Sequence, residues 1–198
     1  MLSHVVVAAA VGAATVASPA AAFAVSTDTG VPAPANASAS RDVGPGYMKN
    51  PFPADSWVPA RTDQGVDYLP KEISPVAAIG PGRVIYSTTS SGWPGGAFLG
   101  YVLTRGSHAG QVIYVAEHLQ DLPPVGTHVE AGDTVATAFP GYPWIETGWA
   151  NQAGNAPADR YNGRPDGTAT DGGKAFARFL QELGAAVQQD PGPGPDRV

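Results

Sequence analysis

The sequence predicts a mainly β protein, a compact antiparallel sheet or barrel-sandwich with one C-terminal helix. Short β-rich runs recur along the middle of the chain, and turn residues separate them. The chain has 25 Gly and 20 Pro, a composition that favours turns over long helices. Only one segment, near the C-terminus, spaces its apolar residues with a helical period. Frequent turns between short strands are typical of antiparallel sheets and barrels.

Composition excludes several functional classes. The 198 residues are enough for one domain with tails. The formal net charge of -6 gives no general attraction to nucleic acid or to an anionic membrane. Because the chain has no cysteine, it has neither disulfides nor a thiol nucleophile. A metal ion would have to be held by His, Asp or Glu.

Residues 1–24 resemble an export signal. Val5–Val16 is a run of small apolar residues, shorter than a membrane span, and Ala22-Phe23-Ala24 fits the small-x-small cleavage rule. We therefore expect a secreted or cell-wall-associated mature protein with no membrane anchor. Residues 25–46 are rich in Ala, Pro and Ser and are expected to form a disordered linker.

Residues 47–155 are expected to form the β domain. Its start, Met48–Pro59, is rich in proline and is predicted to be extended with little regular structure. The strands are predicted from β-branched and apolar runs between glycine turns. They cover Pro75–Ile79, Arg83–Tyr86, Phe98–Leu103, Gln111–Ala116, Thr134–Phe139 and Pro143–Ala150.

Residues 156–189 are expected to form a polar loop followed by an amphipathic helix that packs on the domain. Phe176, Phe179, Leu180 and Leu183 fall on one helical stripe, and Thr170 or Asp171 can cap the helix. Residues 190–198 are expected to be a disordered tail.

Three carboxylates stand out as candidate site residues. Asp63 and Asp67 flank Gly65, and in an extended chain both would point to one face. The alternative is an Asx-type turn with solvated acids. Glu146 lies between aromatic residues on a predicted strand, where a lone buried carboxylate is costly unless it is paired.

In the stretch Tyr114–Leu119, a predicted apolar strand leads into Glu117 and His118. Consecutive strand residues point to opposite faces, so only one of the two should face a groove unless a bulge intervenes. We expect that residue to be His118. The loop Ser91–Gly96 carries Trp93 among glycines that would let a ligand approach.

These pieces, taken in order, resemble the lysostaphin-type zinc endopeptidases, which cleave peptidoglycan cross-bridges. The resemblance covers about residues 61–150. The family pattern has six parts in order: H-x-G-x-D, Pro-Val-x-Ala, Gly-x-Val, Tyr-Ala-His-Leu, a valine-glycine turn repeat and H-L-H-F-E. The matching segments here, in the same order, are Asp63–Asp67, Ser74–Ala78, Gly82–Val84, Ala116–Leu119, Val125–Val135 and Trp144–Gly148.

The departures from the family pattern fall on its metal ligands. The resemblance places the three ligands at Asp63, Asp67 and Glu146, where only Asp67 retains the family residue. Trp144 stands where the family has another histidine, and His118 matches the histidine that handles protons, with Glu117 beside it. The resemblance implies zinc, whereas the oxygen-rich ligand set suits another divalent metal, and without a metal at least one acid should be protonated.

Three functions remain open from the sequence. The first is metal-assisted peptide hydrolysis of peptidoglycan through Asp63, Asp67 and Glu146, assisted by His118 and Glu117. The second is a non-catalytic module that binds peptidoglycan or its stem peptides and holds no metal. The third is an acid/base glycan hydrolase. The chain is expected to be a monomer, and residues expected to contact substrate are Tyr68, Trp93, Trp144 and Trp149.

Overall fold

The computed structural model describes residues 47–141 and 144–188, and its architecture confirms a mainly β protein with antiparallel sheets and one helix. The strands are β1 Trp57–Thr62, β2 Val66–Pro70, β3 Ser74–Ala77, β4 Gly82–Thr88, β5 Ala97–Leu103, β6 Val112–Glu117, β7 Leu119–Gln120, β8 His128–Val129, β9 Thr134–Ala138 and β10 Ile145–Ala150. The helix is α1, Asp171–Glu182.

These strands form two separate sheets. The large sheet has the order β1-β2-β10-β6-β5-β4-β8, and the small sheet has the order β3-β9-β7. Every pairing is antiparallel. The last strand, β10, lies between β2 and β6, so it brings Glu146 next to residues that are distant in sequence.

The large sheet separates two groups of buried residues. One face carries the main core, which joins the small sheet through Val76 and Val135 and joins the helix through Phe176 and Leu180. The other face carries a smaller aromatic cluster of Phe98, Val112, Tyr114, Ala116 and Ala150, with Trp93 packed against it. The candidate site lies on this second face, where the helix does not cover the strands.

The helix follows its predicted pattern. Thr170 caps it by accepting a hydrogen bond from the backbone N–H of Gly173. Phe176, Phe179 and Leu180 are buried in the main core, and Leu183 packs against it. No helix in the described part of the chain is both long enough and apolar enough to cross a membrane.

The expectation of little regular structure before Pro59 was wrong. Trp57 already begins β1, which pairs with β2 despite the proline at position 59. Proline is tolerated there because β1 is an edge strand of the large sheet. The expected export signal (1–24), linker (25–46) and tail (190–198) lie outside the described residues.

Candidate functional site

A row of residues across the large sheet forms the base of the site. Arg61 on β1 lies opposite Asp67 on β2, and Asp67 lies opposite Glu146 on β10. Residues directly opposite each other in antiparallel strands point to the same face. These three side chains therefore stand side by side on the face that carries the aromatic cluster.

A β-bulge determines which way Arg61 points. Pro59 lies opposite Tyr68 and Arg61 lies opposite Asp67, so Ala60 is an extra residue in β1. If Ala60 were paired regularly with Asp67 instead, Arg61 would lie opposite Val66, whose side chain is in the main core. The bulge thus turns a cation out of the core and towards the acids.

Asp63 reaches the same place from a turn rather than from a strand. It lies between β1 and β2, and its Oδ1 accepts a hydrogen bond of 3.2 Å from the backbone N–H of Gly65. The expected extended geometry of Asp63–Asp67 was therefore wrong, and the Asx-type turn is the observed one. Asp63, Asp67 and Glu146 nevertheless converge: each is buried, and one oxygen from each lies within 4.8 Å of the others.

Arg61 joins two of these acids. Its Nη2 lies 2.7 Å from Oδ2 of Asp63, and its Nε donates to Oδ2 of Asp67 at 2.8 Å. The guanidinium carbon lies 4.6 Å from the centre of the Trp144 ring, a cation–π contact. The Arg61 side chain is only 16% exposed, so these ion pairs are largely shielded from solvent.

Two tyrosines donate further hydrogen bonds to the acids. The Tyr114 hydroxyl donates to Oε1 of Glu146, and the Tyr161 hydroxyl donates to Oδ2 of Asp63. Tyr114 belongs to β6, whereas Tyr161 belongs to the loop that precedes the helix. Burial raises the pKa of both phenols, so both remain donors at neutral pH.

Burial sets the ionisation of the acids. It raises the pKa of Glu146 well above its usual value, and the negative charges of Asp67 and Asp63 raise it further. The pKa of Asp67 is also raised well above its usual value, first by burial and then by Asp63, although Arg61 opposes both effects. Burial alone would lower the pKa of Arg61, but Asp67 and Asp63 outweigh it and the net shift is upward. The cluster therefore combines a permanent cation with two acids, Glu146 and Asp67, that retain protons more readily than usual.

An open cleft of about 950 Å³ lies above Glu146. Part of its lining comes from Tyr86 on β4 and from Ser91–Pro94 in the loop after β4. Another part of the lining comes from the loop after β10. The cleft-lining residues of that loop are Asn155, Ala156, Arg160, Tyr161, Asn162 and Asp166. A mixed aromatic and polar cleft of this size suits a ligand that offers both hydrogen-bonding groups and flat or apolar surfaces.

Glu117, and not His118, is among the residues that line this cleft. Glu117 has φ of 87°, a left-handed conformation that interrupts the strand alternation at the end of β6. The expectation that Glu117 turns away from the groove was therefore wrong. His118 is half-buried beside Gly95, where an added Cβ would lie 2.7 Å from the ring Nδ1. Burial lowers the pKa of His118, so its ring is neutral at pH 7.

The four expected substrate-binding residues separate into three groups. Trp93 lines the cleft and packs on Phe98 and Tyr114. Trp144 is 8% exposed and supports Arg61, but it is not among the cleft-lining residues. The other two point away, which corrects the expectation. Tyr68 is stacked on Phe52 in the core, and Trp149 packs against the helix residues Phe176 and Phe179.

The acid cluster meets only part of what a metal site requires. Its three oxygens lie close enough together to hold a metal ion, and within the described residues Oδ1 of Asp67 is a buried oxygen that receives no hydrogen bond. However, the set offers no nitrogen or sulfur donor, and Oδ2 of both aspartates is already bound to Arg61. Catalytic zinc sites depend on histidine or cysteine ligands and an open coordination position. The residues present therefore do not fit the catalytic zinc that the sequence resemblance implies.

Sequence reasoning missed Arg61, Tyr114 and Tyr161. Arg61 had a detectable signal, since it lies two residues before Asp63 and is the nearest cation to the acids in sequence. Tyr114 lies two residues before Ala116, which pairs with Glu146, so the two side chains share a face; that pairing of β10 with β6 had no local signal. Tyr161 had no signal, because the loop that carries it has no periodicity.

No protein-family model matches this chain, and no curated protein matches it. Two solved structures of lysostaphin are similar in fold. The first, a solution structure determined by NMR, has a TM-score of 0.48 and 18% identity, over 77% of this chain and 62% of that one. The second, the antimicrobial peptidase lysostaphin from Staphylococcus simulans, has a TM-score of 0.43 and 18% identity, over 76% and 55%. This chain spans less than two thirds of the length of either neighbour.

Proposed function

We propose that this protein binds peptidoglycan stem peptides in the cleft above Glu146 and does not hydrolyse them with zinc. The observation that carries the proposal is the open cleft of about 950 Å³, whose lining includes Trp93, Tyr86, Arg160 and Tyr161. Stem peptides offer amides, carboxylates and amines, and this lining has a complement for each. The sequence motifs of residues 61–150 support a ligand from the cell wall.

The donor set is the reason for proposing binding rather than zinc hydrolysis. Asp63, Asp67 and Glu146 provide oxygen alone, and Arg61 already engages the two aspartates. Zinc lowers the pKa of a bound water most effectively at sites with few negative ligands. A site with three carboxylates beside a fixed guanidinium lacks that chemistry.

Co-sedimentation with purified peptidoglycan sacculi tests the binding. We expect the protein to pellet with sacculi, and we expect Trp93→Ala to weaken binding by about 10-fold, as for an aromatic anchor. Arg160→Ala should also weaken binding. Arg83→Ala is the matched control, since Arg83 is an exposed arginine on β4 that does not line the cleft. A wild-type protein that stays in the supernatant would contradict the proposal.

Digests of the same sacculi test the absence of zinc hydrolysis. Mass spectrometry of the soluble fraction should show no new peptide ends, with or without added zinc. Peptide release that requires zinc and is lost in Asp67→Asn would show that the chain is a zinc endopeptidase instead.

A second candidate is metal-free acid/base hydrolysis of a glycan. The carboxyl groups that line the cleft include Glu146, whose pKa is raised by burial, and the half-buried Glu117. Carboxyls in different environments can divide the roles of acid and base. Release of new reducing ends from sacculi, abolished by Glu146→Gln, would establish this function in place of binding alone.

We further propose that the protein is exported and acts as a monomer at the cell wall. The expected cleavage after Ala24 supports export. Mass spectrometry of the protein from the culture medium should find a mature chain that starts near Val25. Recovery of intact Met1 from the medium would contradict it.

A further inference from the structure

We infer that the Arg61 guanidinium is a built-in substitute for a metal ion: it holds Asp63 and Asp67 together and keeps divalent cations out of the acid cluster. This inference shares one premise with the proposed function: the acid cluster lies where the family that the sequence resembles holds its metal. Arg61 lies outside every motif of that resemblance.

The contacts of Arg61 are those that a bridging cation would make. It binds Oδ2 of Asp63 at 2.7 Å and Oδ2 of Asp67 at 2.8 Å. A metal ion that bridges two carboxylates would use the same oxygens at a shorter distance, about 2.0–2.2 Å for zinc. A guanidinium cannot lose its proton in proteins, so the positive charge between the two aspartates is permanent.

The strand architecture is built around this cation. The extra residue Ala60 directs Arg61 to the face of Asp67, and the Trp144 ring covers the guanidinium at 4.6 Å. Tyr161 donates to the same Asp63 oxygen that Arg61 binds. Three separate elements, the bulge, the residue before β10 and the loop before the helix, therefore fix the two ion pairs of Arg61 in place.

A divalent ion at the remaining oxygens would lie against this guanidinium. Oδ1 of Asp67 is available, but its partner oxygen Oδ2 already binds Arg61. Two cations on one buried carboxylate repel each other, and buried charges are screened far less than exposed ones. Removal of the Arg61 charge should therefore turn Asp63, Asp67 and Glu146 into a cation site with oxygen ligands, suited to Mn²⁺.

The test is a Mn²⁺ titration of the full chain by calorimetry, comparing the wild type with Arg61→Gln and Arg61→Lys. We expect the Gln variant to bind Mn²⁺ at least about 10-fold more tightly than the wild type. Arg61→Lys retains the charge and should bind no better than the wild type. Arg83→Gln, at an exposed position on β4, is the matched control and should also leave Mn²⁺ binding unchanged.

Two further measurements keep the inference falsifiable. Addition of Asp67→Asn to Arg61→Gln should abolish the gained binding, which locates the ion at the acid cluster. If Arg61→Gln unfolds easily, Mn²⁺ should raise its melting temperature and leave that of the wild type unchanged. Equal Mn²⁺ affinity in wild type and Arg61→Gln, or an unfolded variant that Mn²⁺ does not stabilise, would overturn the inference. Neither readout involves peptidoglycan, so failure here is distinguishable from failure of the proposed function.

Discussion

Gly65 leaves the space in which the acids and their hydrogen-bond donor meet. A Cβ at this position would lie 2.4 Å from the Tyr114 hydroxyl, 2.5 Å from the carbonyl oxygen of Thr147 and 2.9 Å from Oε1 of Glu146. The Thr147 carbonyl oxygen belongs to the backbone, which cannot rotate away. The role of this glycine is therefore steric, and any side chain here must displace the Tyr114–Glu146 pair.

Gly65→Ala should accordingly destabilise the fold by about 3 kcal/mol, the upper range for overpacking a tight site. Gly92→Ala is the matched control, because a Cβ there would meet nothing within 4 Å and should change stability little. Urea unfolding followed by tryptophan fluorescence measures both variants. Equal midpoints for the two would contradict the steric role of Gly65.

At the residue scale, the sequence was sufficient to predict which acids would converge but not what neutralises them. Asp63, Asp67 and Glu146 were found because each is a polar residue in an apolar or glycine-rich setting. The orientation of Arg61 depends on one extra residue in β1, and a bulge leaves no mark in the hydrophobic pattern. Glu117 was placed on the wrong face for a similar reason, since its positive φ breaks the alternation on which the prediction relied.

At the scale of elements, the N-terminus of the helix is attached directly to the site. The Thr170 N–H donates to the carbonyl of Asp63 at 2.8 Å, and the Thr170 hydroxyl caps the helix at Gly173. A Cβ on Gly173 would lie 2.0 Å from that same Asp63 carbonyl oxygen. The first turn of α1 therefore holds the β1–β2 turn that presents Asp63.

Thr170→Ala should cost about 1 kcal/mol of stability, the usual value for loss of an N-cap. Thr168→Ala is the matched control: its hydroxyl donates to the Pro165 carbonyl in the exposed part of the same loop, and it caps no helix. Thermal unfolding followed by circular dichroism compares the two. A larger effect at Thr168 than at Thr170 would contradict the assignment of the cap.

Most elements were predictable because their signals are local. The helix has both a cap and an apolar stripe within its own sequence, and the strands β4, β5 and β6 have runs of Val, Ile, Leu and Tyr between glycine turns. β1 was missed because prolines surround it, and its status as an edge strand depends on the pairing of the whole sheet. The order in which β10 enters between β2 and β6 is likewise a tertiary property that no local pattern contains.

At the scale of the whole molecule, the buried acids should make stability depend on pH. The folded-state pKa values of Glu146 and Asp67 are raised by burial above those of an unfolded chain, which are about 4. Between the unfolded and folded pKa values the native state binds more protons, so the free energy of unfolding falls as the pH rises. This contribution to stability is fully present below about pH 4 and is lost as the pH rises through the folded pKa values.

Substitution of Glu146 isolates this effect from the rest of the protein. The glutamine side chain of Glu146→Gln cannot ionise, and its carbonyl can still accept a hydrogen bond from Tyr114. The free energy of unfolding of this variant should therefore fall less steeply between about pH 5 and pH 8 than that of the wild type. Glu72→Gln, at an exposed position, should leave the wild-type slope unchanged. Urea unfolding at several pH values measures all three proteins. Parallel curves for wild type and Glu146→Gln would mean that Glu146 ionises in the folded protein as freely as in the unfolded chain.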